Sequence, residues 1–309
     1  MSDVASALPV GAPSSASASG LAARNVAEQP GIWRLAWRRF CRHKAGLVGL
    51  VILTLEVLLA IMAPVLIPRD LAIDPSPLNI LQRPSAEHWL GTDEVGRDIF
   101  ARLIYASRIS LSIGFLAVAV AIVVGTTLGA LAGYFGGWVD TILMRVTDAI
   151  LSIPALFFLI VLSVTLGPSV RTMIIVIGLL SWMELARIIR ANVLSLKRRE
   201  FVGAAQTIGA RSPQVIARHI LPNTLAPIVV AATLGFGNAL LTEASVSYLG
   251  LGVQPPDPSW GNMLYNAQSY FFNAPWITLY PGVMILITVL CINFIGDGLR
   301  DALDPRMKR

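Results

Sequence analysis

The sequence predicts an all-α polytopic membrane protein with six transmembrane helices. Hydrophobic residues make up 55% of the chain and charged residues only 14%, and the mean hydropathy is +0.69, which lies outside the balance of a soluble domain. Six apolar segments are each long enough to cross about 30 Å of hydrocarbon. No long stretch alternates apolar and polar residues, and a spanning backbone must satisfy its own hydrogen bonds, so helices are favoured over a barrel.

The spans follow a polar N-terminal tail. Residues 1–30 are rich in Ala, Ser, Gly and Pro and lack the apolar run of a secretory signal, so we expect a disordered cytoplasmic tail there. The first span is then retained in the mature protein. The six predicted spans are residues 46–67, 109–133, 141–166, 172–193, 224–251 and 277–299.

The distribution of basic residues predicts the orientation. Arg and Lys cluster at residues 34–44, 197–218 and 306–309, and six crossings place all three clusters on one side of the membrane. Segment 253–276, on the opposite side, has no Lys or Arg. Because cytoplasmic loops carry the excess of Lys and Arg, both termini are predicted to be cytoplasmic. The connection at 134–140 is placed inside by this topology although it holds no basic residue.

The net charge of +6 is thus explained by topology and does not indicate a nucleic-acid partner. The only cysteines, Cys41 and Cys291, are far apart, and with three scattered histidines they form no recognisable ligand spacing. No metal site or disulfide is predicted.

The external segment after the first span contains a candidate contact site. Its proline-rich part, 64–84, cannot continue the first helix. Residues 91–105 are predicted to form a turn and a short interfacial helix, with Asp98 as its N-cap. Two interpretations of Asp93, Arg97 and Asp98 stay open: they pair and cap within this segment, or they contact an external protein or form part of an external gate.

The basic loop at 200–223, EFVGAAQTIGARSPQVIARHILPN, is the most informative stretch. It predicts two short helices, because Gly209 can adopt the left-handed conformation that ends the first. Ser212 can cap the second, with Pro213 in its first turn. A helix, a glycine turn and a second helix are therefore expected to project from the membrane.

The first of these helices has the features of a docking element. Phe201, Ala205 and Ile208 are predicted to share one face of it. The small side chains of Ala204 and Ala205 leave room for the close approach of another protein surface.

This loop resembles the cytoplasmic motif of binding-protein-dependent ABC importer permeases, which reads Glu-Ala-Ala, three residues, Gly, nine residues, Ile, one residue, Leu-Pro. The matching positions are Ala204, Ala205, Gly209, Leu221 and Pro222. The sequence departs from the motif at two positions. Gly203 stands where the motif has Glu, and His219 where it has Ile.

Two further stretches narrow the resemblance to the second permease subunit of the dipeptide, oligopeptide and nickel branch. One is 88–111, HWLGTDEVGRDIFARLIYASRISL, and the other is 243–263, EASVSYLGLGVQPPDPSWGNM. They are followed near the C-terminus by Asp304, Pro305 and Arg306.

The resemblance implies a type I ABC importer permease fold in a bacterial inner membrane, translocating dipeptides, oligopeptides or a similar small solute. The implied partners are a second homologous permease, two ATPase subunits or domains that bind ATP and Mg, and an external substrate-binding protein. The chain itself is expected to hold no cofactor and no catalytic residue, and the absence of a Gly-Lys dipeptide agrees, since a P-loop requires one. The coupling loop is expected to insert into a cleft on an ATPase.

The same resemblance divides the chain into four regions. These are the tail 1–30, an N-terminal region 31–107 with the first span and the external segment, a five-helix core 108–299, and a C-terminal tail 300–309. The coupling loop, 195–223, belongs to the core.

Alternatives remain for the substrate and for the class of transporter. The same scaffold could import nickel complexes or another small solute. A passive channel or an ion-driven carrier would be a different class, but a secondary carrier is expected to have internal repeats and paired midplane charges, which the sequence lacks.

Polar residues within the spans are candidates for the translocation pathway. Glu243 lies deep in the fifth span, where a carboxylate is costly in lipid, so it is expected to face protein or water. It could line the pathway, together with Asn238, or form a structural hydrogen bond to a neighbouring helix. Glu56 in the first span is expected to make a packing or partner-subunit contact.

Overall fold

The structure is a computed structural model that describes residues 32–303. The predicted tail at 1–30 and the C-terminal residues Asp304, Pro305 and Arg306 lie outside this range. The helices are α1 Ile32–Phe40, α2 Lys44–Leu66, α3 Arg69–Ile73, α4 Ile99–Phe135, α5 Gly137–Leu151, α6 Ala155–Leu166, α7 Val170–Lys197, α8 Glu200–Thr207, α9 Ser212–Val215, α10 Leu221–Tyr248, α11 Trp260–Ala267 and α12 Pro275–Leu303. A π-helical turn, Ile216–Ile220, joins α9 to α10. Within the described range the one isolated β-bridge pairs Thr92 with Asp98.

Five helical segments are long and apolar enough to cross a membrane: α2, α4, α7, α10 together with α9, and α12. A sixth span is present if the bent pair α5 and α6 is taken as one. The prediction of an all-α polytopic membrane protein is thereby confirmed. The first, fourth and sixth predicted spans coincide with α2, α7 and α12 to within a few residues.

The third predicted span, 141–166, is wrong as a single straight helix. The chain breaks between α5 and α6, and the two helices meet at 84°. Pro154 precedes α6 and has no N–H to donate, and the residue before a proline is biased away from the helical conformation. Apolar residues on both sides of the break made the stretch look continuous.

The second predicted span begins too late. The short interfacial helix predicted for 91–105 is the beginning of α4, which runs for 37 residues without a break. At 1.5 Å per residue this helix is about 55 Å long, roughly 25 Å more than the hydrocarbon layer. Asp98 caps it as predicted, because its carboxylate accepts a hydrogen bond from the backbone N–H of Ala101 at 2.9 Å.

The core of the bundle is the contact between α4 and α7, the most extensive of any helix pair. Three glycines of α4 face α7: Gly125, Gly129 and Gly133. A Cβ atom at these positions would lie 2.7, 2.5 and 2.8 Å from backbone carbonyl oxygens of α7. Only glycine allows the two backbones to approach this closely.

The remaining long helices surround this pair. α10 packs against α4 and α12, and α2 packs against α12 and α4. Buried polar side chains connect some of these helices: Thr288 of α12 donates a hydrogen bond to the Glu56 carboxylate of α2 at 2.8 Å. Glu56 therefore makes a packing contact within the chain.

Candidate functional site

The predicted break at Gly209 is present. Helix α8 ends at Thr207, and Gly209 has φ +86°, in the left-handed region that favours glycine. The backbone N–H of Gly209 donates to the Gln206 carbonyl at 3.0 Å, and that of Ala210 donates to the Ala205 carbonyl at 3.0 Å. These bonds satisfy carbonyls that the end of the helix would leave free.

The second helix of the loop is not the separate element that was predicted. Helix α9 begins at Ser212 without a side-chain cap and continues through the π-helical turn directly into α10. In that turn the backbone N–H of Leu221 donates to the Ile216 carbonyl. The added residue of a π turn accommodates Pro222, which has no N–H, within a continuous helix. The loop is thus one short helix followed by the extended start of the fifth span.

An apolar cluster fixes the loop to three spans. We call it the root cluster; its buried members are Ala130, Tyr134, Leu185, Ile189, Val193, Val202, Val215, Ile220 and Ile228. Val202 of α8 and Val215 of α9 are completely buried in it. Because these residues pack on α4, α7 and α10 together, the loop cannot shift without displacing the ends of the spans.

Polar contacts reinforce this attachment at Tyr134, near the end of α4. The Lys197 ammonium donates to the Tyr134 carbonyl at 2.5 Å and lies 5.3 Å from the centre of its ring. The side-chain amide of Gln206 in α8 donates to the Tyr134 hydroxyl at 3.3 Å.

The exposed side of α8, together with Ile208 directly after the helix, carries large apolar side chains. Phe201 is 42% exposed and Ile208 is 86% exposed, and Ala204 between them is also exposed. We call these three residues the coupling surface. Exposed apolar residues that lie together on a projecting element are characteristic of protein contacts.

Ala205 does not lie on this surface, in contrast to the predicted face of Phe201, Ala205 and Ile208. It is 5% exposed and lies on the side of α8 that Val202 buries in the root cluster. Helical spacing places Ala205 at the edge of the face, and the packing of Val202 decides to which side it turns.

The remaining motif positions have different environments. Leu221 packs against the root cluster, and Pro222 is exposed in the first turn of α10. Gly203 is exposed, and a Cβ atom there would meet no atom within 4 Å. The space that a larger residue would occupy in the motif is therefore open.

Two ion pairs that the sequence analysis did not identify connect the bent pair to α7. Arg190 forms a bidentate pair with Asp140, with Nη2 and Oδ2 2.6 Å apart. Arg187 pairs with Asp148 at 2.5 Å. The sequence pattern that could have indicated these pairs is the spacing of the charges. Arg187 and Arg190 are one turn apart on α7, and Asp140 and Asp148 are two turns apart on α5.

The structure does not bring Glu243 and Asn238 onto one face of α10. Glu243 is 0% exposed, and its carboxylate accepts hydrogen bonds from the hydroxyls of Ser110 at 3.2 Å and Ser247 at 2.8 Å. The Ser110 hydroxyl in turn accepts from the backbone N–H of Trp260 at 3.1 Å. Glu243 therefore links α10 to α4 and α11.

Asn238 lies on the opposite, exposed side of α10. Thr242, one turn later, is half-buried, and Ser245 is exposed on the same side. A polar stripe on a spanning helix is unfavourable against lipid, so this face is suited to contact with protein or water.

The external residues Asp93, Arg97 and Asp98 form their hydrogen bonds and ion pairs within their own segment. Asp93 accepts hydrogen bonds from the backbone N–H of Val95 at 3.0 Å and of Arg97 at 2.9 Å, and from Arg97 Nε at 2.7 Å. Asp98 contacts His88 at 2.8 Å in addition to capping α4. Asp93 and Arg97 are both buried, so the arrangement stabilises the segment.

The pKa of Glu94, beside this pair, is raised by burial and, secondarily, by the neighbouring Asp93 charge. Arg97 Nη2 donates to the Glu94 carboxylate at 3.1 Å. Arg102 of α4 completes the cluster, with Nε 3.3 Å from Asp93.

Comparison with known families gives two matches. Residues 125–309 match the family described as "binding-protein-dependent transport system inner membrane component". Residues 31–84 match the "N-terminal TM domain of oligopeptide transport permease C".

Curated relatives match along most of their length. The dipeptide transport system permease protein DppC of Alkalihalophilus pseudofirmus is 47% identical, over 89% of this chain and 90% of its own. The glutathione transport system permease protein GsiD of Pectobacterium atrosepticum is 42% identical, over 89% and 92%. The oligopeptide transport system permease protein OppC of Bacillus subtilis is 41% identical, over 90% and 91%.

Solved structures with a similar fold come from the inward-facing MetNI methionine ABC transporter. Two crystal forms superpose with TM-scores of 0.55 and 0.56 at 20% sequence identity. They cover 66% and 67% of this chain and 96% and 98% of the matched chains. The predicted type I importer permease fold is thereby confirmed.

Proposed function

This chain belongs to the binding-protein-dependent transport system inner membrane components, and on that premise we propose that it is a permease subunit of an ATP-driven importer of dipeptides, oligopeptides or a similar small solute. It is a multi-pass protein of the bacterial inner membrane and a transport component, not a catalytic subunit. The relatives are dipeptide, oligopeptide and glutathione permeases, which supports the peptide class of substrate.

The observation that carries the proposal is the coupling surface on its rigid base. Phe201 and Ala204 of α8 and Ile208 directly after it are exposed. We assign these three residues to a cleft on one of two ATPase subunits, which bind ATP and Mg. Gly209 ends the helix and shapes this projection. Leu221 and Pro222 belong to its base, as does Ala205, and Gly203 stands beside the surface with open space around it.

Force would pass from this surface into the spans through two routes. Displacement of α8 moves the root cluster and hence the ends of α4 and α7. Displacement of α9 moves α10, because the helix is continuous through the π-helical turn. Glu243 then transmits movement of α10 to α4 through its bond to Ser110, and to α11 through the Trp260 N–H that donates to the same Ser110 hydroxyl.

A second, homologous permease is the proposed partner across the polar face of α10. In this arrangement Asn238 borders the translocation pathway between the two subunits, whereas Glu243 contributes by holding its helix in place. An external substrate-binding protein delivers the solute to the end of the bundle that holds Asp93, Arg97 and Asp98.

The cytoplasmic location of both termini is part of the proposal. The basic loop and helix α1 lie at the same end of the bundle: Phe40 packs near Gly298 of α12, and Arg300 of α12 lies beside Pro227 of α10. The region boundaries at 30/31, 107/108 and 299/300 remain proposals, and α4 runs continuously through the second of them.

The proposal is tested by substitution of Ile208 in the assembled transporter. Ile208→Asp places a charge on the coupling surface without disturbing any buried contact, so the chain should insert normally. We expect loss of ATPase co-purification and of ATP-driven peptide uptake in liposomes. The matched control is Leu78→Asp, which changes a 93% exposed apolar residue in the external segment and should retain the ATPase. Normal co-purification and uptake with Ile208→Asp would refute the coupling role.

A further inference from the structure

A cavity of about 400 Å³ lies at the end of the bundle opposite the coupling surface. Its walls come from the end of α2, the start of α3, the first third of α4 and the connection between α10 and α11. The residues that matter here are Pro64, Arg69, Tyr105, Arg108, Ile109 and Asp257. The proposed function assigns no role to this cavity.

The cavity lies at the level of the lipid headgroups. Helix α2 has 23 residues and is therefore about 35 Å long, close to the thickness of the hydrocarbon layer. Pro64 is two residues from its end, and the Tyr105 hydroxyl donates to the Ile67 carbonyl just beyond that end at 2.9 Å. Arg108 lines the same cavity as Pro64, so both lie at the boundary between hydrocarbon and water.

One cation in the cavity is not compensated. Arg69 pairs with Asp257 at 3.1 Å, so their charges balance. The guanidinium of Arg108 is exposed and has no hydrogen-bond or ion-pair partner among residues 32–303. Such a group at the membrane boundary, beside the apolar Pro64 and Ile109, attracts an anion that also has an apolar part.

The position of Arg108 on α4 directs its side chain away from α10. Ser110, which binds Glu243 of α10, is two residues later on the same helix. Two residues of an α-helix turn through about 200°, so Arg108 points almost directly away from α10. Ile61 and Val65 of α2 lie within one turn of Pro64, which lines the cavity; they are 65% and 83% exposed and form an apolar surface beside it.

From these observations we propose that the cavity binds the phosphate of a membrane phospholipid. The Arg108 guanidinium holds the phosphodiester through paired N–H donors, which match the geometry of phosphate oxygens. Arg69 and Asp257 border the headgroup as a neutral pair, and the acyl chains lie along the exposed surface of α2. The net charge of the cavity, one positive, complements a single phosphodiester.

Native mass spectrometry of the assembled, detergent-purified transporter tests this. The complex is titrated with phosphatidylglycerol, and Arg108→Gln is compared with wild type. Loss of one arginine near the headgroups should weaken binding of the first lipid about fivefold or more. Arg108→Lys keeps the charge and should retain most of the affinity. The matched control, Arg83→Gln, changes an exposed arginine outside the cavity and should bind as wild type does.

Two further titrations identify the source of the anion. Glycerophosphoglycerol carries the same phosphodiester without acyl chains and should bind far more weakly than the lipid. Alanyl-alanine should not displace the lipid. Equal lipid affinity of Arg108→Gln and wild type would overturn the proposal. So would glycerophosphoglycerol binding as tightly as the lipid, or displacement of the lipid by the dipeptide. None of these outcomes bears on the coupling role of Ile208.

Discussion

Lys197 and Tyr134 connect the ends of α7 and α4 through two contacts at once: a hydrogen bond from the ammonium to the Tyr134 carbonyl and a cation–π contact with its ring. The hydroxyl of the same tyrosine accepts a hydrogen bond from the side-chain amide of Gln206 in α8. One residue thus joins two spans and the helix that carries the coupling surface.

Substitution of Lys197 should weaken this junction. Lys197→Met keeps the length of the side chain but removes both contacts, with an expected loss of about 1–3 kcal/mol in the free energy of unfolding. Thermal unfolding of the detergent-purified complex measures the loss, and peptide uptake should fall while the ATPase subunits still co-purify. Lys44→Met, at an exposed lysine of α2, is the control. Equal stability of the Lys197→Met and Lys44→Met variants would contradict the prediction that Lys197 stabilises the contact between α7 and α4.

Gly209 should tolerate side chains according to their ability to adopt positive φ. No atom lies within 4 Å of a Cβ at this position, so backbone conformation alone sets the cost. We expect uptake to decrease in the order Asn, Ala, Val, with a cost of about 1–2 kcal/mol for Ala and more for the β-branched residue. Membrane insertion, measured by the yield of folded complex, should stay normal. Transport by Gly209→Val equal to that by Gly209→Asn would exclude a conformational role.

Gly203, in contrast to Gly209, has a helical backbone conformation, and a Cβ atom there would meet no other atom within 4 Å. Gly203→Ala should stabilise α8 by about 0.5–1 kcal/mol, because glycine loses more conformational freedom than alanine on folding. Gly203→Glu should assemble equally well, since nothing obstructs the side chain. Gly129→Ala is the contrasting variant: its Cβ would lie 2.5 Å from the Ala186 carbonyl oxygen and should lower thermal stability. A loss of stability at Gly203 comparable to that at Gly129 would disprove this assignment.

Glu243 should behave as a structural residue within its own chain. Glu243→Ala leaves the Ser110 and Ser247 hydroxyls without their acceptor and creates a cavity, so we expect a loss of about 2–5 kcal/mol in unfolding free energy. Glu243→Gln retains the size and a carbonyl acceptor and should be close to wild type in stability. Peptide-stimulated ATPase activity of Glu243→Gln should have an unchanged KM. A changed KM at wild-type stability would instead indicate direct contact with the solute.

The sequence predicts the spans well because the bilayer imposes their length and composition. It fails where an interaction arises only in the folded chain. The second span was predicted to begin at residue 109, yet α4 begins at Ile99 and includes Arg102. Arg102 is buried there because its guanidinium donates to the Ala72 carbonyl at 3.0 Å, 30 positions away. The break before Pro154 was not predicted, because the apolar residues on both sides of it form a stretch long enough to span the membrane.

At the coupling surface, too, the features that depend on local sequence were predicted and those that depend on distant residues were not. The break at Gly209 follows from local chemistry and was predicted. The position of Ala205 depends on Val202 entering the root cluster, which is assembled from three distant spans, so no local pattern could place it. The ion pairs of Arg187 and Arg190 also required knowledge of which helices become neighbours.

The glycine contact between α4 and α7 limits how this protein can change shape. Sliding either helix along the other by one residue would bring a side chain against a carbonyl oxygen at a place where only hydrogen fits. The two helices are therefore a single stiff unit, and gating motions have to be concentrated elsewhere. The available joints are the corner before Pro154 and the turn at Gly209, so slowing either joint, for example with a cross-link, should arrest transport in one state.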